Sequence, residues 1–174
     1  MQWHETARAG LEWDIRNEGA PYIVKSPFFC EDADEVLQRG DIVIDHVLIP
    51  MRDLYAAAES RRLVFENTVS GMPLLQRLKA RIKPPKVPGG LVNTKSKRNQ
   101  EQVLLRDLSR LLLVLAGTQI PVTLLQYPKL VKESAYLYEK LKPILGSISS
   151  EQFCATFKQT VRPEWVHTFP AGKV

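Results

Sequence analysis

Arg52 and Ser60 stand eight positions apart in the stretch Asp41-Ile-Val-Ile-Asp-His-Val-Leu-Ile-Pro-Met-Arg-Asp-Leu-Tyr-Ala-Ala-Ala-Glu-Ser60. A guanidinium is a planar fork of donors suited to phosphate, and a hydroxyl two helical turns further on can donate to the same anion. The chemistry such a pair offers is anion holding. The apolar, β-branched run Ile42–Ile49 ahead of it reads as a buried strand. Met51–Asn67 reads as a helix, so Arg52 falls at a helix opening. Free backbone N–H groups and the helix dipole favour negative charge there. Lys25 closes Tyr22–Lys25, a short expected strand stopped by Ser26-Pro27. The carboxyl end of a strand is where open α/β sheets bind ligands.

These residues need elements to position them. Gln2–Glu18 reads as a helix ended by Gly19-Ala20-Pro21. Asp32–Arg39 reads as a short helix stopped by Gly40. After Met51–Asn67 comes 70–100, rich in proline and glycine, with a short helix near Leu74–Ile82 and otherwise a long excursion. Lys97–Gly117 carries Leu104, Leu105, Leu108, Leu111, Leu112 and Leu115 at helical spacing, the strongest helix signal in the chain. Ile120–Gln126 reads as a buried strand. Pro128 suits the first position of a helix over Lys129–Leu145. Ser149 with Gln152 forms a capping box for a last helix, to about Val161. Strands alternating with helices predict an α/β fold, a mostly parallel sheet flanked by helices in one domain over 1–174. Three strands are few for such a sheet.

The net charge is +5, and it is concentrated. Arg77, Lys79, Arg81, Lys83, Lys86, Lys95, Lys97 and Arg98 are eight basic residues with no acidic one between Asn67 and Gln100. Outside that segment, 16 basic residues are outnumbered by 19 acidic ones. The segment reads equally as a solvated basic loop or as a surface for a polyanion or phosphorylated ligand. The longest apolar stretch, Leu111–Ala116, is too short to cross a bilayer. Cys30 and Cys154 make neither a disulfide framework nor a metal spacing, and read as small buried groups in a reducing compartment, which points to the cytoplasm. His4, His46 and His167 show no ligand spacing. Asp45 and His46 face opposite sides of the expected strand and are no pair, so His46 reads as a satisfied core histidine. Trp165 and Phe169 read as a docked tail.

The strand followed by Arg-Asp and a serine eight positions after the arginine resembles the 3′-phosphate-binding segment of sulfotransferases that use PAPS (3′-phosphoadenosine 5′-phosphosulfate). Tyr22-Ile-Val-Lys25-Ser26-Pro27-Phe28-Phe29 resembles the strand ending in Lys-Ser/Thr-Pro of carbohydrate-type members. Gln119–Leu130 with Tyr136–Leu145 resembles their late strand and following helix. The resemblance covers about Ala20 to Val161, poorly over 70–100. It implies a P-loop NTPase-like α/β fold, PAPS as cofactor, and sulfuryl transfer to a hydroxyl or amine of a small-molecule or carbohydrate acceptor. On that resemblance Arg52 and Ser60 hold the 3′-phosphate, and Lys25 is the cation near the transferring group. Lys95, Lys97 and Arg98 close over the cofactor or meet a polyanionic acceptor. The general base is left open between His4, Glu5 and neither.

The chain departs from the family at one point. No Gly-x-x-x-x-Gly-Lys-Ser/Thr or similar phosphate loop occurs in it. The expectation is therefore an N-terminally incomplete chain, short by a strand, loop and helix of roughly 30 residues, with weak or absent catalysis by itself. Two alternatives stand beside the sulfotransferase reading: another P-loop-type nucleotide enzyme, kinase-like, and a non-catalytic module that grips a polyanion, nucleic acid not being the expected partner.

Overall fold

The computed structural model describes residues 13–27, 29–82, 85, 87, 90, 91, 97–166 and 169, without the side chains of 81, 82 and 97. The chain is α/β, mostly helical, and among the described residues it carries a two-stranded parallel sheet. In order it forms α1 (Phe29–Gln38), β1 (Val47–Met51), α2 (Leu54–Ser70), α3 (Leu74–Ile82), α4 (Gln100–Ala116), β2 (Val122–Gln126), α5 (Lys129–Lys132), α6 (Ser134–Leu145) and α7 (Ser150–Thr160). Its contacts gather into two compact units. A helical unit holds 1–43 and 57–118, and a strand unit holds 44–56 and 119–174.

In the helical unit α1 packs on α4. Ala33 and Val36 bury the inward stripe of α1, and Val103 and Leu115 that of α4. An ion pair between Arg110 and Asp34 at 2.8 Å joins the two helices. Arg62 of α2 bonds both Glu59 one turn back and Glu101 of α4, the latter at 2.8 Å. Arg61 is half-buried, and burial pulls its pKa down. Its guanidinium donates to the Gly90 carbonyl at 3.2 Å. Gly90 turns tightly against Val87: an added Cβ would come within 2.9 Å of the valine Cβ, so a side chain there would force a shift.

Two expected elements of this unit differ from the structure. The described end of the Gln2–Glu18 helix, from Trp13 on, is a turn; residues 1–12, with His4 and Glu5, lie outside the described residues. The Asp14 carboxylate accepts from the Arg16 backbone N–H at 3.0 Å and from Arg16 Nε at 2.9 Å. Such a local side-chain bond competes with helix formation. Tyr22–Lys25 is not a strand either. The Lys25 carbonyl accepts from Trp13 N–H at 3.1 Å, while Ile23 is 84% exposed. β-propensity alone does not make a strand. By contrast α3 has the expected bounds. α1 begins three residues before its expected start, and Lys97–Asn99 is a 3-10 turn ahead of α4. Of the excursion expected near 70–100, residues 83, 84, 86, 88, 89 and 92–96 lie outside the described residues.

In the strand unit β1 and β2 pair in parallel, with Val47 opposite Val122 and Met51 opposite Gln126. The expected strand Ile42–Ile49 is thus shifted to start at Val47. The ladder begins where Val47 N–H donates to the Pro121 carbonyl at 2.9 Å, and α4 with its Gly117 cap ends only a few residues before that proline. Pro50 sits within β1, whose other edge carries no strand among the described residues, where a missing N–H costs nothing. The expected helix Lys129–Leu145 is broken at Glu133, which adopts an extended conformation between α5 and α6. Gly146, at φ 59°, ends α6 in the left-handed region that favours glycine. α6 packs on α7 through Tyr138 and Phe153, ring centroids 5.5 Å apart, while the Tyr138 hydroxyl donates to the Ile148 carbonyl.

The capping box stands as expected. Ser149 accepts from Gln152 N–H, and the Gln152 side chain accepts from Ser149 N–H. Ser149→Ala removes one of the two bonds and should lower stability by about 1 kcal/mol, read from urea denaturation followed by circular dichroism; no change would mean α7 does not need its cap. Cys30 and Cys154 are free and half-buried. Burial, assisted by Asp107 and Glu31, raises the Cys30 pKa. Less of it is then thiolate near the ordinary thiol pKa. In a Cys154→Ser background, native Cys30 should therefore alkylate more slowly than N-acetylcysteine, and the lag should vanish in urea. An equal native rate would refute the shift.

Candidate functional site

The parallel ladder determines what stands at the carboxyl edge of the strand unit. Tyr127 N–H donates to the Met51 carbonyl at 2.7 Å, extending the pairing one step past β2. Arg52 and Tyr127 are thus the first residues beyond the two strands, side by side. The Arg52 guanidinium carbon lies 4.9 Å from the Tyr127 ring centroid and 5.6 Å from that of Phe169. Both distances suit a cation over an aromatic ring. The tail residue Phe169 does dock, as expected, whereas Trp165 is 73% exposed.

A second cation stands on the same edge. Lys129, which opens α5, has its Nζ 5.8 Å from the Tyr136 ring centroid. The Tyr136 hydroxyl accepts from Gln126 N–H at 2.8 Å, which fixes that ring against the end of β2. Each strand therefore ends near a basic residue resting on a tyrosine. Open α/β sheets bind ligands at this edge, and two cations there suit an anionic one.

Arg52 lies at the end of β1, as expected, but two residues ahead of α2 rather than on it. Asp53 takes the cap position, its carboxylate accepting from Ala56 N–H at 2.8 Å. A backbone donor that could have served an anion is therefore held by an aspartate. An anion here would meet the Arg52 side chain rather than a bare helix start.

The other sequence candidates fall elsewhere. Ser60 is half-buried on α2 and belongs to the helical unit, as do Lys25, Lys97 and Arg98. Lys25 and Arg98 are exposed, and Lys25 does not end a strand. Thus the structure brings Arg52 together with Tyr127 and Phe169. His46 is half-buried one residue before β1, its Nε2 2.8 Å from Thr123 Oγ1, so it has the partner a satisfied histidine needs, although it is not mid-strand. Sequence reasoning missed Tyr127 and Lys129 as site residues. The available signal was their place directly after a strand, in Gln126-Tyr-Pro-Lys129.

Compared with known proteins, the chain matches no family model, no curated protein and no solved structure.

The Arg52–Tyr127 contact is measurable by itself. A double-mutant cycle of Arg52→Ala and Tyr127→Ala in urea unfolding should return a coupling of about 0.5–1 kcal/mol. Additive single effects would mean that the ring does not hold the guanidinium.

Proposed function

We propose that the carboxyl edge of the strand unit is the anion-binding part of a sulfotransferase-like protein that recognises adenosine 3′-phosphate groups, with PAPS as cofactor. The observation that carries the reading is Arg52, placed at the end of β1 in a parallel pair and supported by Tyr127 and Phe169. A guanidinium and the nearby Lys129 ammonium are donors only, which suits a phosphate. Ser60 and Lys25 keep their roles from the family resemblance alone.

PAPS, when bound, supplies an activated sulfuryl group. The reaction proposed is in-line attack by an acceptor hydroxyl or amine on that sulfur. The new bond to sulfur forms as the sulfur–oxygen bond to the 5′-phosphate breaks, releasing adenosine 3′,5′-bisphosphate, and the acceptor proton leaves to a base. The protein's part in such a transfer is positioning and stabilisation of charge on the departing oxygen. Arg52 contributes to the first by gripping the 3′-phosphate, remote from the reacting bond.

A second reading, a polyanion-binding module without catalysis, is favoured by the basic segment 67–100. Titration with adenosine 3′,5′-bisphosphate, ATP and a mixed oligonucleotide separates the two. The first predicts selective bisphosphate binding that Arg52→Ala weakens by about tenfold to a hundredfold, the loss of one charge-assisted hydrogen bond. Steeply salt-dependent oligonucleotide binding with no bisphosphate preference would favour the second. Bisphosphate affinity unchanged in Arg52→Ala would remove the site.

A further inference from the structure

α3 presents its apolar side outward. Leu74, Leu75 and Leu78 are 70%, 74% and 51% exposed, whereas Ala80 is 8% exposed. At about 100° per residue, the three leucines share one arc of the helix and Ala80 lies opposite its centre. The helix therefore seats itself through a small residue and turns three large apolar ones to the solvent. Two exposed cations border the arc, Lys79 on one side and Arg77 on the other. No acidic residue occurs between Asn67 and Gln100.

We propose that α3 is a membrane-surface helix that lies on anionic lipid. Three features favour this occupant. An apolar strip bordered by cations on both sides requires negative charge on both sides of what it touches, and an anionic headgroup plane supplies that in every direction. Leucines enter the acyl boundary while long Lys and Arg stems reach back to the headgroups. A second copy of the chain would bring like charges against each other along both borders. The helix is nine residues long, so the attachment is peripheral and reversible, strengthened by the surrounding basic residues at roughly 1 kcal/mol each near an anionic surface. It is independent of the nucleotide reading, which rests on residues of the strand unit, whereas α3 belongs to the helical unit.

The test is co-sedimentation of the full chain with phosphatidylcholine vesicles, with and without phosphatidylserine. Binding is expected only with phosphatidylserine. Leu75→Gln with Leu78→Gln should cut the partition coefficient roughly tenfold or more, and Arg77→Gln with Lys79→Gln should also lower it. These side chains are exposed, so circular dichroism and thermal melting should match the parent; should the glutamine pair unfold, Leu75→Ala with Leu78→Ala takes its place. No phosphatidylserine-dependent binding overturns the proposal. Full binding by the folded leucine variants also overturns it, because basic residues would then suffice. So does leucine-dependent self-association without vesicle binding, which would assign the face to a second copy.

Discussion

The strand unit depends on one short backbone ladder. Between Val47 N–H bonded to the Pro121 carbonyl and Tyr127 N–H bonded to the Met51 carbonyl, five residues of β1 meet five of β2 in a single register. Parallel pairing cannot close through a tight turn, so the chain between the strands must travel far, and here it builds α2, α3 and α4 before returning. The register also decides the chemistry. Ile49 pairs with Leu124 and Pro50 with Leu125, so the buried members of the two strands, Ile49 and Leu125, lie on opposite faces, and a shift of one residue would change which faces they share. It would separate Arg52 from Tyr127 as well. The register of the ladder therefore fixes the aromatic contact of Arg52.

In the helical unit, arginines tie elements together through ion pairs. Arg16 bonds Asp14 and reaches Asp32 and Glu35 of α1; Arg62 spans Glu59 and Glu101; Arg110 reaches Asp34. The Arg16 pKa is raised, first by its hydrogen bond to Asp14. Partly exposed pairs of this kind contribute little singly, and their value here is geometric. A planar fork that binds two carboxylates sets the angle between the segments that carry them. The acidic surplus outside 67–100 is partly consumed in these contacts, which leaves the basic segment as the distinct electrostatic feature of the chain.

What could be read from the sequence divides by the range of the interaction responsible. α7 was legible because Ser149, Gln152 and the helix between them specify it locally. α4 followed from leucine spacing. The expected strand at Tyr22–Lys25 is not one, since β-propensity is decided by packing and Ile23 is 84% exposed. Ile42, Val43 and Ile44 are β-branched, but the ladder with β2 begins only at Val47. Asp14 illustrates the opposite error, a local bond overriding helical periodicity. At the candidate site, Arg52 was visible as a charged residue after an apolar run. Its neighbours were not, since Tyr127 reaches it only through the register of two strands some 70 positions apart in sequence.

α1 and α3 show what periodicity leaves undetermined. Both are short, strongly amphipathic helices, and each collects its large apolar residues on one side. α1 turns Ala33 and Val36 inward against α4, with its acids outside meeting Arg16 and Arg110. α3 is reversed, with Ala80 inward and the leucines outward. The hydrophobic pattern states which residues share a face, but the direction of that face depends on what the chain can offer against it. For α1 the offer is the leucine-rich α4, with Arg16 and Arg110 placed to answer Asp32, Asp34 and Glu35. For α3 no described element covers the leucines, and the neighbouring sequence supplies cations without acids to pair them. A face left uncovered by its own fold, with charge of one sign around it, is complementary to an apolar layer beneath a negative one.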